Sequence, residues 1–419
     1  MSDAPEHLER ADQLERLTAG ADHVISKGEL EAKLAKGRPL RVKLGIDPTA
    51  SDIHLGFAVV LRKLRAFQDL GHTAVLILGD FTAQVGDPSG RSALRPRLTK
   101  DEVEAHAVTY VKQVTKVLST DGLEIRRNSE WLASMGMEDV LRLASCATVA
   151  QMLERDDFQK RYRTGAPIAV MELLYPLLQG WDSVMVEADV ELGGSDQLFN
   201  NLMGRTLQTS EGQDPQVVMT MPLLVGTDGT KKMSKSYGNY VGIDEPPSEQ
   251  FGKLMRIPDD LMPQYFALTT GWNHDQVAAL ARQLTEGAIG ANEAKRLLAR
   301  TVVELYHGPG SGESAESEFD RVFRAHEAPT EVPAFSLAAE SLVDGRIRLA
   351  RLLALAGLAT TNADGRRKIA QGGVKIAGER VEDPDIELEP AALDGKVVQV
   401  GRRSWARVEV EKGSGTPPV

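Results

Sequence analysis

Lys231, Lys232 and Lys235 crowd into the string Lys231-Lys232-Met233-Ser234-Lys235-Ser236, just after Gly229, where neither helical nor strand periodicity runs. Ammonium groups held so close repel one another, and an anion relieves them. Beside a triphosphate, mobile lysines would stabilise the charge gathering on departing pyrophosphate more than that of the ground state, as catalysis of phosphoryl or nucleotidyl transfer requires. A second candidate for phosphate lies upstream in Gly45-Ile46-Asp47-Pro48-Thr49-Ala50-Ser51-Asp52-Ile53-His54-Leu55-Gly56-Phe57. There an apolar run gives way to a helical pattern, so backbone amides and the helix dipole face an incoming anion, His54 adds a donor and Gly56 keeps the approach open. Each signal has an ordinary competitor: a lysine run is usually a solvated loop, and a His-x-Gly pair is usually a mere connection. Together they point to a bound nucleotide.

Tyr175, Gln179 and Asp182 follow at i, i+4 and i+7, the spacing that brings a phenol, a carboxamide and a carboxylate to one side of a helix. A buried Asp accepting from a substrate hydroxyl would reject the analogue that lacks it, by about ten-thousandfold or more. An amphipathic core helix with Asp182 at its wet end is the plainer account. Gly193-Gly194-Ser195-Asp196-Gln197 combines glycines that admit close backbone approach with polar residues at the start of the next helix. A turn with an N-cap would explain Ser195 or Asp196 but not Gln197. Gly86-Asp87-Pro88-Ser89-Gly90-Arg91 also follows a candidate strand, although an ordinary Asp-Pro-Ser-Gly turn competes for Asp87.

The elements that must position these residues are legible in outline. Leu40–Ile46 and Thr73–Leu78 are short aliphatic and β-branched runs of the kind buried in parallel sheets, and the helix expected between them, from His54 to Leu70, stops at Gly71. Further helices at Lys100–Leu118 and Ile168–Trp181 alternate with candidate strands at Leu123–Arg126, Ser183–Ala188 and Gln216–Met221. The expected fold is therefore α/β: a Rossmann-like doubly wound parallel sheet with N-terminal helices over residues 1–240, with chemistry in the loops that follow its strands. Over 241–330 the pattern is helical without strands (Phe251–Leu254, His274–Leu284, Asn292–Tyr306), and 331–345 reads as a linker. Residues 346–412 form a small α+β domain: one helix through Leu349, Leu352 and Leu353, a second capped by Thr361 with Asp364, and a hairpin across Ala377-Gly378. The tail, 413–419, is expected to be disordered.

A net charge of -11 argues against a chain that coats nucleic acid at random, and no DNA partner is expected. Locally the sign reverses. Between Arg346 and Arg380, eight basic residues (Arg346, Arg348, Arg351, Arg366, Arg367, Lys368, Lys375, Arg380) meet only Asp364 and Glu379, a patch suited to RNA phosphates. Cys146 has no second cysteine to pair with, and no His/Cys cluster suggests a metal. The acidic N-terminus leads into no apolar h-region and no stretch is long enough to span a membrane, so a cytoplasmic location is expected.

From about Leu40 to Val410 the chain resembles the tyrosyl-tRNA synthetases of the class I aminoacyl-tRNA synthetase family. The match is carried by Lys232–Ser236 behind the His54-Leu55-Gly56 helix start, by the Tyr-x-x-x-Gln-x-x-Asp pattern of Tyr175, Gln179 and Asp182, and by Gly193–Gln197. The two-helix and hairpin pattern after Arg346 resembles the bacterial type with a C-terminal S4-like RNA-binding domain. This resemblance implies a tyrosine–tRNA ligase that uses ATP with Mg2+ as substrate, has no tightly bound cofactor and works as a homodimer on tRNA(Tyr). It implies catalytic roles for His54, Lys232 and Lys235, and ATP contacts from Gly45, Asp47, His54, Gly56, Gly194, Asp196, Lys232, Ser234, Lys235 and Ser236. Tyrosine would be held by Asp47, Thr82, Asp87, Asn128, Tyr175, Gln179, Asp182 and Gln197, with Asp87 facing the α-amino group. Arg91 and Arg95 would meet the tRNA acceptor end, and Arg346, Arg366, Arg367 and Lys368 the RNA in the S4-like domain.

Two residues depart from the family pattern. Phe57 stands where the family's HxGH has its second histidine, a lost donor that would cost about 1 to 3 kcal/mol, roughly five- to a hundredfold in rate. Lys43 stands where one branch carries a tyrosine near the substrate hydroxyl, leaving Asp182 as the clearer determinant. The alternatives are a tryptophanyl-tRNA synthetase on the same scaffold, disfavoured by the Tyr175, Gln179, Asp182 face, and a catalytically weak RNA-binding paralogue, supported by Phe57 alone.

Overall fold

The computed structural model describes residues 10–49, 52–88, 99–323, 332–401 and 404–411. Arg91, Arg95 and the tail 413–419 lie outside the described residues. The chain forms two compact units, Met1–Pro309 and Gly310–Val419.

The first unit begins α1 (Arg10–Thr18), β1 (His23–Ile25), α2 (Lys27–Ala35), β2 (Arg41–Ile46), α3 (Leu55–Gln68), β3 (Thr73–Leu78), α4 (Thr82–Val85), α5 (Lys100–Val114) and β4 (Leu123–Arg127). It continues through α6 (Ser129–Leu132), α7 (Met137–Ser145), α8 (Val149–Met152), α9 (Asp156–Arg163), α10 (Val170–Met185), β5 (Val190–Gly194), α11 (Leu198–Ser210) and β6 (Val217–Met221). The sheet runs β1-β6-β5-β2-β3-β4. β2 to β6 are parallel and β1 closes one edge antiparallel to β6. Helices cover such a sheet, so its central strands are mostly apolar, and Val75, Leu76 and Ile77 of β3 are fully buried. β2 pairs with β3 on one side and β5 on the other, so the chain leaves these neighbours in opposite directions and a crevice opens beyond their carboxyl ends.

The strand expected at Ser183–Ala188 is not there. α10 continues to Met185, and Glu187 turns the chain in the left-handed region (φ 48°), so pairing starts only at Val190. Val184, Met185 and Val186 have strand-like side chains, but Val184 and Val186 bury them in the helix-covered core beside Trp181 and Leu207. The helices α12 (Pro247–Leu254), α13 (Met262–Thr269), α14 (His274–Thr285) and α15 (Ala291–His307) fall in the same compact unit as the sheet. Phe251, Tyr265 and Phe266 are fully buried, and Tyr265 Oη donates to the Val225 carbonyl at 2.6 Å, tying α13 to the segment before the lysines.

The second unit contains α16 (Ser311–Phe323), β7 (Ala334–Leu337), β8 (Ile347–Arg348), α17 (Leu349–Leu355), α18 (Asn362–Ala370), β9 (Val374–Ile376) and β10 (Glu379–Val381). It ends with β11 (Glu387–Leu388), α19 (Pro390–Leu393), β12 (Val397–Val400) and β13 (Ser404–Val410). Thr361 caps α18 by accepting from the Asp364 amide at 3.1 Å. The β9–β10 turn puts Ala377 at φ 49° and Gly378 at φ 89°, the pair of positive angles that a primed two-residue turn needs. The stretch expected to be a linker, 331–345, contains β7, which pairs parallel with β13 and sends Leu337 into the core. Pro333 and the small residues around it hid a four-residue edge strand.

Candidate active site

The carboxyl ends of the sheet open onto a cleft of about 900 Å3. Gly45, Asp47, His54, Gly56, Thr82, Asp87, Tyr175, Gln179, Asp182, Gly194, Asp196, Gln197, Lys232, Ser234, Lys235 and Ser236 all line it. Asn128, the remaining tyrosine-binding candidate, lies just behind the wall, fully buried.

One end of the cleft is acidic. Tyr175, Gln179 and Asp182 do share a face of α10, as their spacing requires. Asp182 is 3 % exposed; its carboxylate accepts from Trp131 Nε1 at 2.8 Å and from Asn128 Nδ2 at 3.3 Å. Asn128 also donates to Thr82 Oγ1 at 2.9 Å, and Thr82 donates to Asp47 at 2.7 Å. The other Asp47 oxygen accepts from the Tyr175 phenol at 2.8 Å. Burial pushes both Asp47 and Asp182 up to about 7, and it raises the Tyr175 phenol well above its ordinary value. Asp87 completes the set: Gln197 Nε2 donates to it at 2.8 Å, and Arg155 lies 3.5 Å from its second oxygen. Three carboxylates around a cavity suit a ligand that brings an ammonium group and a hydroxyl.

The other end is basic. His54 is the N-cap of α3, its Nδ1 accepting from the Phe57 amide at 3.3 Å. Burial, then the charges of Lys235 and Lys232, lower the imidazole to about 4, so it is neutral at neutral pH and its Nε2 must carry the proton. Lys232 Nζ donates to Asp196 at 2.7 Å. The nearest carboxylate to Lys235 Nζ, Asp52, stands at 3.7 Å, beyond hydrogen-bond reach, and burial lowers the ammonium from its ordinary value. A donor held that way gains most from an anion.

Several residues that build this site stand outside the motifs read from the sequence. Trp131 reaches Asp182 from α6. Asn200 donates to both Gln179 and Gln197, at 3.1 and 3.0 Å, and accepts from Arg155 at 3.0 Å. At Gly79 a Cβ would fall 2.0 Å from Asp47 and 2.3 Å from Thr82, so only glycine lets that hydrogen bond cross the end of β3. Asn239, 3 % exposed, braces the lysine loop: its Oδ1 accepts from the Ser234 amide at 2.8 Å and its Nδ2 donates to Asp228 at 3.0 Å and to the Lys232 carbonyl at 3.2 Å. Asn200 sits i+3 from Gln197, a helical spacing that could have flagged it.

In the second unit the basic residues are engaged at its surface. Arg346 pairs with Glu389 at 2.8 Å, Arg367 and Lys368 with Asp364 at 2.6 and 3.0 Å, and Arg366 with Asp385. Extending the count to Glu389 adds Glu382, Asp383, Asp385, Glu387 and Glu389, so eight basic residues meet seven acidic ones.

A family model for class I tRNA synthetases (W and Y) matches residues 35–324. The tyrosine–tRNA ligase of Moorella thermoacetica is 48% identical over 404 residues, 96% of this chain and 96% of that protein. Tyrosine–tRNA ligase 2 of Vibrio cholerae is 49% identical over 398 residues, 95% of this chain and 98% of the relative. Among solved structures, the tyrosyl-tRNA synthetase of Archaeoglobus fulgidus complexed with L-tyrosine superposes with a TM-score of 0.61 at 22% identity, over 73% of this chain and 99% of that one. A C-terminally truncated mitochondrial tyrosyl-tRNA synthetase of Aspergillus nidulans gives the same TM-score and identity over 76% of this chain and 95% of its own. These two share the fold.

Proposed function

The chain belongs to the class I tRNA synthetases of the tryptophan and tyrosine type, with the tyrosine–tRNA ligases as its near relatives, and from that premise we propose how its cleft performs the ligase reaction. The activity is tyrosine–tRNA ligation. A tyrosine carboxylate oxygen attacks the α-phosphorus of ATP, the bond to the bridging oxygen breaks, and pyrophosphate leaves with that electron pair. The terminal ribose hydroxyl of tRNA then attacks the carbonyl carbon of the adenylate and AMP departs. No protein nucleophile takes part; positioning and charge stabilisation do the work.

The observation that carries this reading is the polarity of the cleft. Asp87 and Asp47 suit the α-ammonium end of tyrosine, with Gln197 orienting Asp87 at 2.8 Å. Asp182 accepts a hydrogen bond from the phenol hydroxyl at the floor, with Trp131 holding one of its oxygens at 2.8 Å. Gly45 and Gly56 leave space for the nucleotide, Gly194 and Asp196 flank the ribose, and His54 Nε2, Lys232, Lys235, Ser234 and Ser236 serve the phosphates. Magnesium would accompany the triphosphate, beside Asp52 and Asp196, which face lysines at 3.7 and 2.7 Å.

For the second step, RNA phosphates would take over the exposed arginines and lysines of the second unit in the manner of an S4-like domain. Exposed pairs contribute only about 0 to 1 kcal/mol, so exchanging a carboxylate for a phosphate costs little. A homodimer is supported by large apolar side chains strung along α7 to α10: Met137 (75 % exposed), Leu141 (62 %), Val149 (63 %), Tyr162 (68 %) and Val170 (76 %). Among the described residues no helix is long and apolar enough to cross a membrane.

The test is amino-acid-dependent ATP/pyrophosphate exchange with tyrosine, phenylalanine and tryptophan in turn. Tyrosine should exceed phenylalanine by about ten-thousandfold in kcat/KM, and Asp182→Asn should collapse that ratio mainly by raising KM for tyrosine. Equal exchange with phenylalanine or tryptophan would refute the assignment of Asp182.

A further inference from the structure

Behind the floor of the cleft lies a buried charge pair that the two-step reaction does not use. Lys43 of β2 and Glu191 of β5 are directly opposite each other where the sheet changes direction, and both are fully buried. The Lys43 ammonium spends its three donors on Glu191 Oε1 (2.8 Å), Ser183 Oγ (2.8 Å) and the main-chain carbonyl of Gln179 (2.9 Å). Glu191 in turn accepts from Gln179 Nε2 (3.2 Å), from Ser183 Oγ (3.1 Å) and from Gln216 Nε2. Apart from the Lys43–Glu191 contact itself and the bond from Gln216, every one of these links grips the turn of α10 from Gln179 to Ser183, which carries Asp182. Replacing a buried ion pair by well-packed apolar residues is often neutral or stabilising, so stability alone is a weak reason for keeping this one.

We propose that Lys43 and Glu191 are a positioning pair that determines specificity: together they fix the α10 turn from Gln179 to Ser183, so that Asp182 meets the phenol hydroxyl of tyrosine. This rests on the ligase reading above and assigns the pair no contact with substrate. The two charges also act on Asp182 in opposite senses. Lys43 favours its carboxylate and Glu191 opposes it, while Trp131 and Asn128 donate to it and Asp47 faces it across the pocket. Asp47 titrates in the same range and is coupled to Asp182, but Lys43 and Glu191 act on Asp182 directly, so a change at either reaches the acid limb of the pH profile through Asp182.

Because kcat/KM reads the free enzyme and needs Asp182 ionised as an acceptor, it should rise with pH through about 7, the value to which burial lifts that group. The experiment compares the full chain with Lys43→Met, Glu191→Gln and Lys43→Met/Glu191→Leu in pyrophosphate exchange across pH, with tyrosine and with phenylalanine. Lys43→Met should raise KM for tyrosine by at least about tenfold with a smaller change in kcat, cut the tyrosine/phenylalanine ratio, and move the acid limb to higher pH. Glu191→Gln should move the limb to lower pH, a reversal of sign that a purely structural pair would not produce. Where Lys43→Met melts too low to assay, the double variant, which leaves no buried charge unpaired, carries the test through its tyrosine/phenylalanine ratio. Folded variants with the wild-type ratio and an unmoved limb would overturn the proposal, whereas wild-type enzyme with no tyrosine-dependent exchange would remove the ligase reading beneath it.

Discussion

Phe57 stands where the sequence resemblance places the second histidine of HxGH, close to the chemistry itself. It lines the cleft, and its amide holds His54 Nδ1 at 3.3 Å, so the first histidine is oriented while the second donor is missing. Phe57→His is expected to raise kcat for pyrophosphate exchange at saturating tyrosine and ATP by roughly five- to a hundredfold. An unchanged kcat would mean that His54 and the lysines already supply all the stabilisation the departing pyrophosphate can use. Residues that point into the cleft were legible because local spacing exposes them: Tyr175, Gln179 and Asp182 on one helix face, Lys232 and Lys235 in one loop. Those standing behind it were not. Trp131 and Glu191 come from α6 and β5, and only the packing of the sheet gives them a common address.

At the scale of the element, the lysine loop is closed by a short antiparallel bridge between Val225 and Lys232 and braced from within by one buried side chain. Asn239 accepts from the Ser234 amide and donates to Asp228 and to the Lys232 carbonyl, and a Cβ on Gly226 would lie 2.2 Å from its amide nitrogen. Asn239→Ala strips those partners at once, a cost of about 1 to 3 kcal/mol in loop order. The result should be roughly a five- to hundredfold loss in kcat/KM for ATP, with KM for tyrosine held within about twofold, since the tyrosine end rests on α6 and α10. A rise in both KM values together would show that the loop and the acidic end are one mechanical unit. Element boundaries were the least legible feature: nothing in Val184-Met185-Val186 distinguishes the last turn of a buried helix from a strand until Glu187 turns the chain.

On the proposed reading the two units of the molecule divide the reaction between them, and the pairing of β7 with β13 says where to cut. Removing Gly345 onward, the boundary the composition suggests, would leave β7 without β13 and expose Phe335 and Leu337. Ending the chain before Val332 removes both strands together. That truncated protein should keep tyrosine-dependent exchange within about twofold of the full chain, because every residue of the cleft lies in the first unit. Its kcat/KM for tRNA charging should fall at least about tenfold and depend less steeply on salt, since fewer phosphates are neutralised when RNA binds. Salt dependence is the more telling measurement. With eight basic residues facing seven acidic ones between Arg346 and Glu389, this surface attracts RNA only if its carboxylates can be turned aside. A truncated enzyme with an unchanged salt slope would therefore assign the phosphate contacts to the first unit, and the arginines of the second to holding Asp364, Asp385 and Glu389 in place.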